Sequence, residues 1–175
     1  GGLEELNRMI IDELNRQIRN ACIVCGVDTR DVYFMALAGN TSMTHLFMGL
    51  SPRWLIREPY IPVVNSPDVQ KADAYGLQIN PAGRVFILPN IGSYFGGDLI
   101  AGILHSGISR KADPAILVDV GTNAEVVLGN DSWLVACAGA AGPALEGGVA
   151  QIGMMAGPGV IDRLRIDPET RAFRI

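Results

Sequence analysis

Lysine is nearly missing from this sequence. Lys71 and Lys111 are the only two, and arginine supplies the rest of the 14 basic residues. A lysine-lined phosphate cluster is therefore excluded, and the basic residues are scattered rather than run together. That argues against a nucleic-acid or anionic-membrane surface. No apolar stretch approaches the roughly twenty residues of a membrane span. The opening GGLEELN is acidic, unlike the basic and then apolar start of a secretory leader. Three cysteines, an odd number, point to a reducing cytoplasm rather than a disulfide framework. His45 and His105 are isolated, with no zinc-ligand spacing. G-x-S-x-G, H-E-x-x-H, Walker A and Rossmann G-x-G-x-x-G patterns are all absent.

What remains is a chain of 175 residues, 49% hydrophobic, with 21 glycines and a net charge of −4. Such a chain is long enough for one medium domain or two small lobes, and its composition predicts a compact α/β protein. Leu3, Leu6, Ile10, Leu14, Ile18 and Cys22 recur at three- and four-residue steps, predicting a long helix closed by Gly26. VYFMALA (32–38) and RVFIL (84–88) are continuous apolar runs, as expected of strands covered on both faces. A short helix to Leu50, capped by Thr41 or Ser42, is predicted after the first run. A proline-broken but apolar excursion fills 51–81, and a second helix is predicted near 97–106. Residues 115–138 predict a three-stranded meander, turning at Gly121-Thr122-Asn123 and at 129–132. Strands are expected at 160–166 and 172–175. The chain stops inside the last of these, so it reads as a piece of a longer protein.

Four stretches carry candidate chemistry. In AILVDVGTNAEVVLGN, Asp119 ends a strand before a Gly-Thr-Asn turn. Small turn residues let backbone N–H groups converge on an anion, with Thr122 and Asn123 as added donors, and Asp119 placed to hold a metal-bound water. The same turn also serves as a plain hairpin. CAGAAGPALEGG lets backbone approach a ligand, and a helix beginning at Pro143 offers N–H groups and a dipole to a phosphate; tight helix–sheet packing is the other account. AGNTSMTH places hydroxyl and amide groups at a helix start, where capping is the simpler explanation. In PNIGSYFGGDLIAG, Asp98 is either a dipole partner or a group that orders magnesium or water. Cys22 and Cys25 form a lone C-x-x-C on an apolar stripe and, like Cys137, read as core.

The order of these pieces resembles the actin, sugar-kinase and heat-shock chaperone ATPase superfamily, with its ribonuclease-H-like fold. AGNTSMTHLFMGLSP, LPNIGSYFGGDLIAGIL, LVDVGTNAEVVLGN and CAGAAGPALEGG are similar, more narrowly, to the ATPase part of the reductive activators of corrinoid proteins. That resemblance implies a partial α/β fold. Residues 3–113 would form the C-terminal half of the first lobe with its connecting helix, and residues 114–175 the N-terminal half of the second. It implies ATP-dependent return of a Co(II) corrinoid protein to Co(I), with ATP, magnesium and an iron–sulfur cluster in the parent protein and a cytoplasmic location. Asp119, Gly121, Thr122 and Asn123 would take the second-lobe phosphate role, with Asp119 as the magnesium ligand. Gly139, Ala140, Gly142, Pro143, Glu146 and Gly147 would form the adjoining nucleotide-facing loop. Asn40 and Thr41 match a first-lobe feature, and Asn90, Gly92 and Asp98 the connecting segment, with Asp98 as a second catalytic candidate. The implied partners are ATP and a corrinoid protein, with no nucleic acid and no membrane; a homodimer is left open. The superfamily's earlier D-x-G-T-T hairpin and its late adenosine motif are not in this sequence, nor are four cysteines for a cluster. The competing readings are another ATPase or kinase of the superfamily, such as an acyl-dehydratase activator, and a non-catalytic corrinoid-protein docking module.

Overall fold

The computed structural model describes residues 1–121, 123–147, 150–161 and 163–175. Contacts divide these into two units, one of residues 1–117 and 127–136, the other of 118–126 and 137–175.

The first unit is organised by helix α1 (Gly2–Cys25), as the apolar spacing predicts. Its end is set by Gly26 at φ 68°, a left-handed conformation that costs glycine nothing. The Gly26 and Val27 N–H groups donate to the Ile23 and Cys22 carbonyls, closing the last turn. The stripe itself is rotated from the one read in the sequence. Ile11, Asn15 and Cys22 are the buried positions, with Ile10, Leu14 and Ile18 only partly covered.

Strand β1 (Phe34–Leu37) runs parallel to β3 (Arg84–Ile87), and the short β2 (Gln70–Lys71) pairs antiparallel with β3. Register places Met35 beside Val85 and Leu37 beside Ile87. That face meets Ile11, Phe47, Ala72, Leu77 and Ile79 in the core. The opposite face carries Phe34 and Phe86, which are exposed, Phe34 by 59%. The expectation of strands covered on both faces is therefore corrected: one face is packed, and β1 is four residues rather than seven. Phe47 stacks obliquely on Tyr75 at 4.8 Å between ring centres, and burial pushes the Tyr75 phenol up.

Two asparagines that read as polar spacers point inward. Asn7 Nδ2 donates to the Leu46 and Phe47 carbonyls at the end of α2 (Thr41–Phe47), both at 2.8 Å. Asn15 donates to the Gly76 carbonyl and accepts from the Gln78 N–H. Helix α3 (Gly97–Ser106) follows β3 and buries Leu99.

Strands β4 (Ala115–Val120), β5 (Asn123–Gly129) and β6 (Leu134–Ala140) form a three-stranded sheet in that order, the predicted meander. In the second unit little is buried. Helix α4 (Pro143–Gly147) follows β6, and β7 (Arg165–Ile166) pairs antiparallel with β8 (Phe173–Arg174). Both of these strands are much shorter than the sequence suggested. Their connecting turn is held by Asp167, whose carboxylate accepts from the Glu169 and Thr170 N–H groups. Among the described residues no helix is long and apolar enough to cross a membrane.

Candidate functional site

In the first unit the chain brings Asn40, Thr41, Asn90, Gly92 and Asp98 into one neighbourhood. The end of β1 supplies Asn40 at the cap of α2, where its side chain accepts from the Met43 N–H at 2.8 Å. Asn40 is thus the cap, in place of the predicted Thr41 or Ser42. Thr41 is instead buried, and its hydroxyl donates to the Gly92 carbonyl at 3.2 Å. Asn90 is buried too, donating to Asn65 Oδ1 at 2.7 Å and to the Gly92 carbonyl at 3.3 Å. Gly92 takes φ 70°, so the turn it makes favours glycine. The start of α3 lies close against the end of β1: a Cβ at Gly96 would stand 2.5 Å from the Asn40 Cα and 2.8 Å from the Gly39 carbonyl. The Asp98 N–H donates to that same carbonyl at 3.3 Å. Asp98 Oδ1 accepts from the Leu99 N–H.

A cleft of about 540 Å³ opens beside this junction. Ile10, Leu14, Leu37 and Phe47 form its apolar wall, and Gly39, Asn40 and Asp98 its polar end. Its volume falls within the range of ligand clefts. The first-unit residues hold one another in place, so most of their polar atoms are already engaged.

In the second unit Asp119 lies exposed on β4, one residue before the strand's end. The buried strand read from AILVDV is corrected here, since Val118 and Val120 beside it are exposed as well. Thr122 falls outside the described residues. Gly121 and Asn123 flank it, and the Gly121 N–H donates to the Asn123 carbonyl at 2.7 Å. Gly139 and Ala140 belong to the last residues of β6 rather than to a free loop, and Cys137 on the same strand, like Cys25 at the end of α1, is exposed rather than core. Gly142 turns the chain at φ 50°, and Pro143, Glu146 and Gly147 lie in α4. β5 separates the strand of Asp119 from that of Gly139.

A magnesium–phosphate group would find open space and the Asp119 carboxylate here. A Cβ at Gly139 or Gly147 would meet nothing within 4 Å, at Gly121 only the Asn123 carbonyl at 3.7 Å, and Asp119 offers a carboxylate. The predicted helix-start donors fit less well. The Ala144 N–H donates to Ala141, and those of Leu145 and Glu146 to Gly142, within a helix of five residues. Among the described residues no three His, Cys, Asp or Glu side chains are grouped to hold a metal ion. Asp119 would thus act on such a cation through a bound water, with phosphate and further water around it. An iron–sulfur cluster finds no ligand set in these residues. The sequence missed the roles of Asn65, Gly96 and His45, which organise the first-unit loops: Asn65 lies in no motif, and Gly96 and His45 lie inside PNIGSYFGGDLIAG and AGNTSMTH without being singled out there.

Residues 1–111 match the family described as the RACo middle region, and residues 113–175 the family described as the C-terminal domain of RACo, the ASKHA domain. The chain is 34% identical, over 93% of its length, to the corrinoid activation enzyme RamQ of Eubacterium limosum, of which it spans 27%. It is 29% identical, over 90% of its length, to a Co(II) methylated amine-specific corrinoid protein reductase of Methanosarcina barkeri, of which it spans 31%. A solved structure titled as a reductive activator for corrinoid, iron–sulfur protein superposes with a TM-score of 0.78 at 38% identity. The match covers 99% of this chain and 28% of the other.

Proposed function

The chain belongs to the RACo family, and we propose that it serves as part of an ATP-dependent reductive activator that helps return a Co(II) corrinoid protein to Co(I). The observation that supports this most is the 34% identity to a corrinoid activation enzyme along 93% of the chain. The fold is a partial α/β arrangement ending in an ASKHA domain. In this reading residues 3–113 complete a first lobe and 114–175 begin a second. The setting is the cytoplasm, and ATP and a corrinoid protein are the partners, with a homodimer left open.

Bound ATP with magnesium would supply the phosphate charge for these loops to meet. Asp119 would hold a magnesium-bound water at the mouth of the β4–β5 turn. Gly121, Thr122 and Asn123 would meet phosphate, with the Asn123 side chain as a donor because the Gly121 N–H is already engaged. Gly139, Ala140, Gly142, Pro143, Glu146 and Gly147 would line the nucleotide where the glycines leave room. Asn40, Thr41, Asn90, Gly92 and Asp98 would be the first-unit candidates, Asp98 through its carboxylate in the cleft. The one electron that reduces cobalt would come from an iron–sulfur centre elsewhere in the parent protein.

Asp119→Ala in the intact parent tests the reading. Loss of ATPase activity with the fold preserved supports it. Unchanged ATPase activity would leave only a docking role for this chain.

A further inference from the structure

His45 is fully buried in α2, at 0% exposure, and both ring nitrogens are engaged. Nδ1 lies 2.7 Å from the Thr41 carbonyl oxygen, and the Val63 backbone N–H donates to Nε2 at 3.0 Å. A carbonyl oxygen is only an acceptor and an amide N–H only a donor. Nδ1 must therefore carry the proton and Nε2 must be bare, so the ring is the neutral Nδ1–H tautomer.

What the ring joins gives this tautomer a role. Two residues beyond Val63, Asn65 grips the 89–93 loop. Its carbonyl accepts from the Asn90 N–H at 2.8 Å, and its Oδ1 accepts from Asn90 Nδ2 at 2.7 Å. Ser93 Oγ donates to the Tyr60 carbonyl at 2.6 Å. Asn90 and the Thr41 hydroxyl both donate to the Gly92 carbonyl. The path closes on itself: from the Thr41 carbonyl through His45 to Val63, along the chain to Asn65, across to Asn90 and Gly92, and back to the Thr41 hydroxyl.

We propose that His45 is the positioning residue of the first-unit loops, locking residues 60–65 and, through Asn65, the Asn90–Gly92 turn against the start of α2. The consequence for nucleotide rests on the reading of Thr41, Asn90 and Gly92 given above; the lock itself does not.

Long-range proton–nitrogen NMR of the whole chain reads the tautomer directly. A protonated Nδ1 with a bare Nε2 is expected, and an Nε2–H ring would overturn the assignment. Two variants separate the ring's two bonds. His45→Asn keeps a donor near the Thr41 carbonyl and removes the acceptor for Val63, whereas His45→Gln reaches Val63 with an acceptor. Amide exchange at Val63 and Asn90 should quicken about three- to tenfold in His45→Asn, the share of one hydrogen bond, and stay close to wild type in His45→Gln. Wild-type protection in His45→Asn, or equal quickening in both, would overturn the lock. Should His45→Asn fail to fold, the wild-type tautomer and the Val63 protection in His45→Gln decide alone. In the intact parent, ATP affinity should fall in His45→Asn and recover in His45→Gln. Undiminished affinity in His45→Asn would overturn the positioning role, while a wild-type parent that binds no ATP would remove the nucleotide reading and leave the exchange result standing.

Discussion

The two units treat apolar side chains in opposite ways. In the first, Phe47, Val85 and Ile87 are sealed in a core around α1, and the polar groups among them, Asn15, Thr41, His45 and Asn90, are each hydrogen-bonded. In the second, Ile152, Met155, Ile166 and Phe173 are exposed, and among its described hydrophobic residues only Ala141 is buried. Apolar content alone therefore does not make a core. The first unit has a long helix to lay across a sheet face, while the only helix among the second unit's described residues is five residues long. What the second unit offers is backbone access, and that suits a ligand better than it suits packing.

The largest test of this contrast is a pair of truncations. Phe47→Ala should cost about 3–5 kcal/mol in urea unfolding, as a fully buried aromatic ring does, and Phe173→Ala, 69% exposed, less than about 0.5 kcal/mol. Equal losses would break the comparison. Next is Gly96→Ala, where the added methyl meets backbone of Gly39 and Asn40. A loss of about 1–3 kcal/mol is expected, measured the same way, with Gly139→Ala nearly neutral because its surroundings are open. Asn15→Ala should cost about 1–3 kcal/mol, since the Gly76 carbonyl and Gln78 N–H lose their partner; faster amide exchange at Gln78 would locate the damage.

The smallest effects are electrostatic, and they sharpen the contrast by pH. Glu13, bonded by Arg16 and Gln17, is held down from 4.5 to about 2, and the Thr170 and Glu169 N–H groups lower Asp167. Both are depressed carboxyls. Their stabilising share is present above the ordinary carboxylate range and is lost as pH falls through the lowered value. Acidification toward about 2 should release Arg16 on the surface of α1 without opening the core. In the second unit, protonation of Asp167 through its own lowered range should loosen the 167–170 turn, seen as a lower protection factor at the Asp167 N–H, which donates to the Ala172 carbonyl. A coincident loss of the Phe47 core signals would overturn that separation.

Much of the first unit was legible because its signals are local. The α1 helix, the Gly26 stop and the strands near 32–38 and 84–88 follow from periodicity and turn chemistry, whereas the buried face of α1 and the short β2 do not. Strand coverage was not legible, because a continuous apolar run such as VYFMALA does not say whether a second layer lies above it. Asn7 and Asn15 were hidden for a related reason: periodicity assigns asparagine to the wet face, whereas here each satisfies carbonyls that meet the helix only in the fold. For the candidate site, the motifs located the loops, but which atoms are free was decided by pairings such as Gly121 with Asn123. Asn65 lies in no motif, and the role of His45, although it ends AGNTSMTH, depends on Val63, 18 residues on.

The parallel pairing of β1 with β3 has a consequence for how the chain is made. Phe34 must wait for Arg84 before any rung of that ladder exists, and Asn15 waits for Gly76, 61 residues on. During synthesis α1 forms early from neighbouring contacts and then stands with Ile11 uncovered. Its burial is completed only when the later segment emerges, a non-local closure of the kind that slows folding.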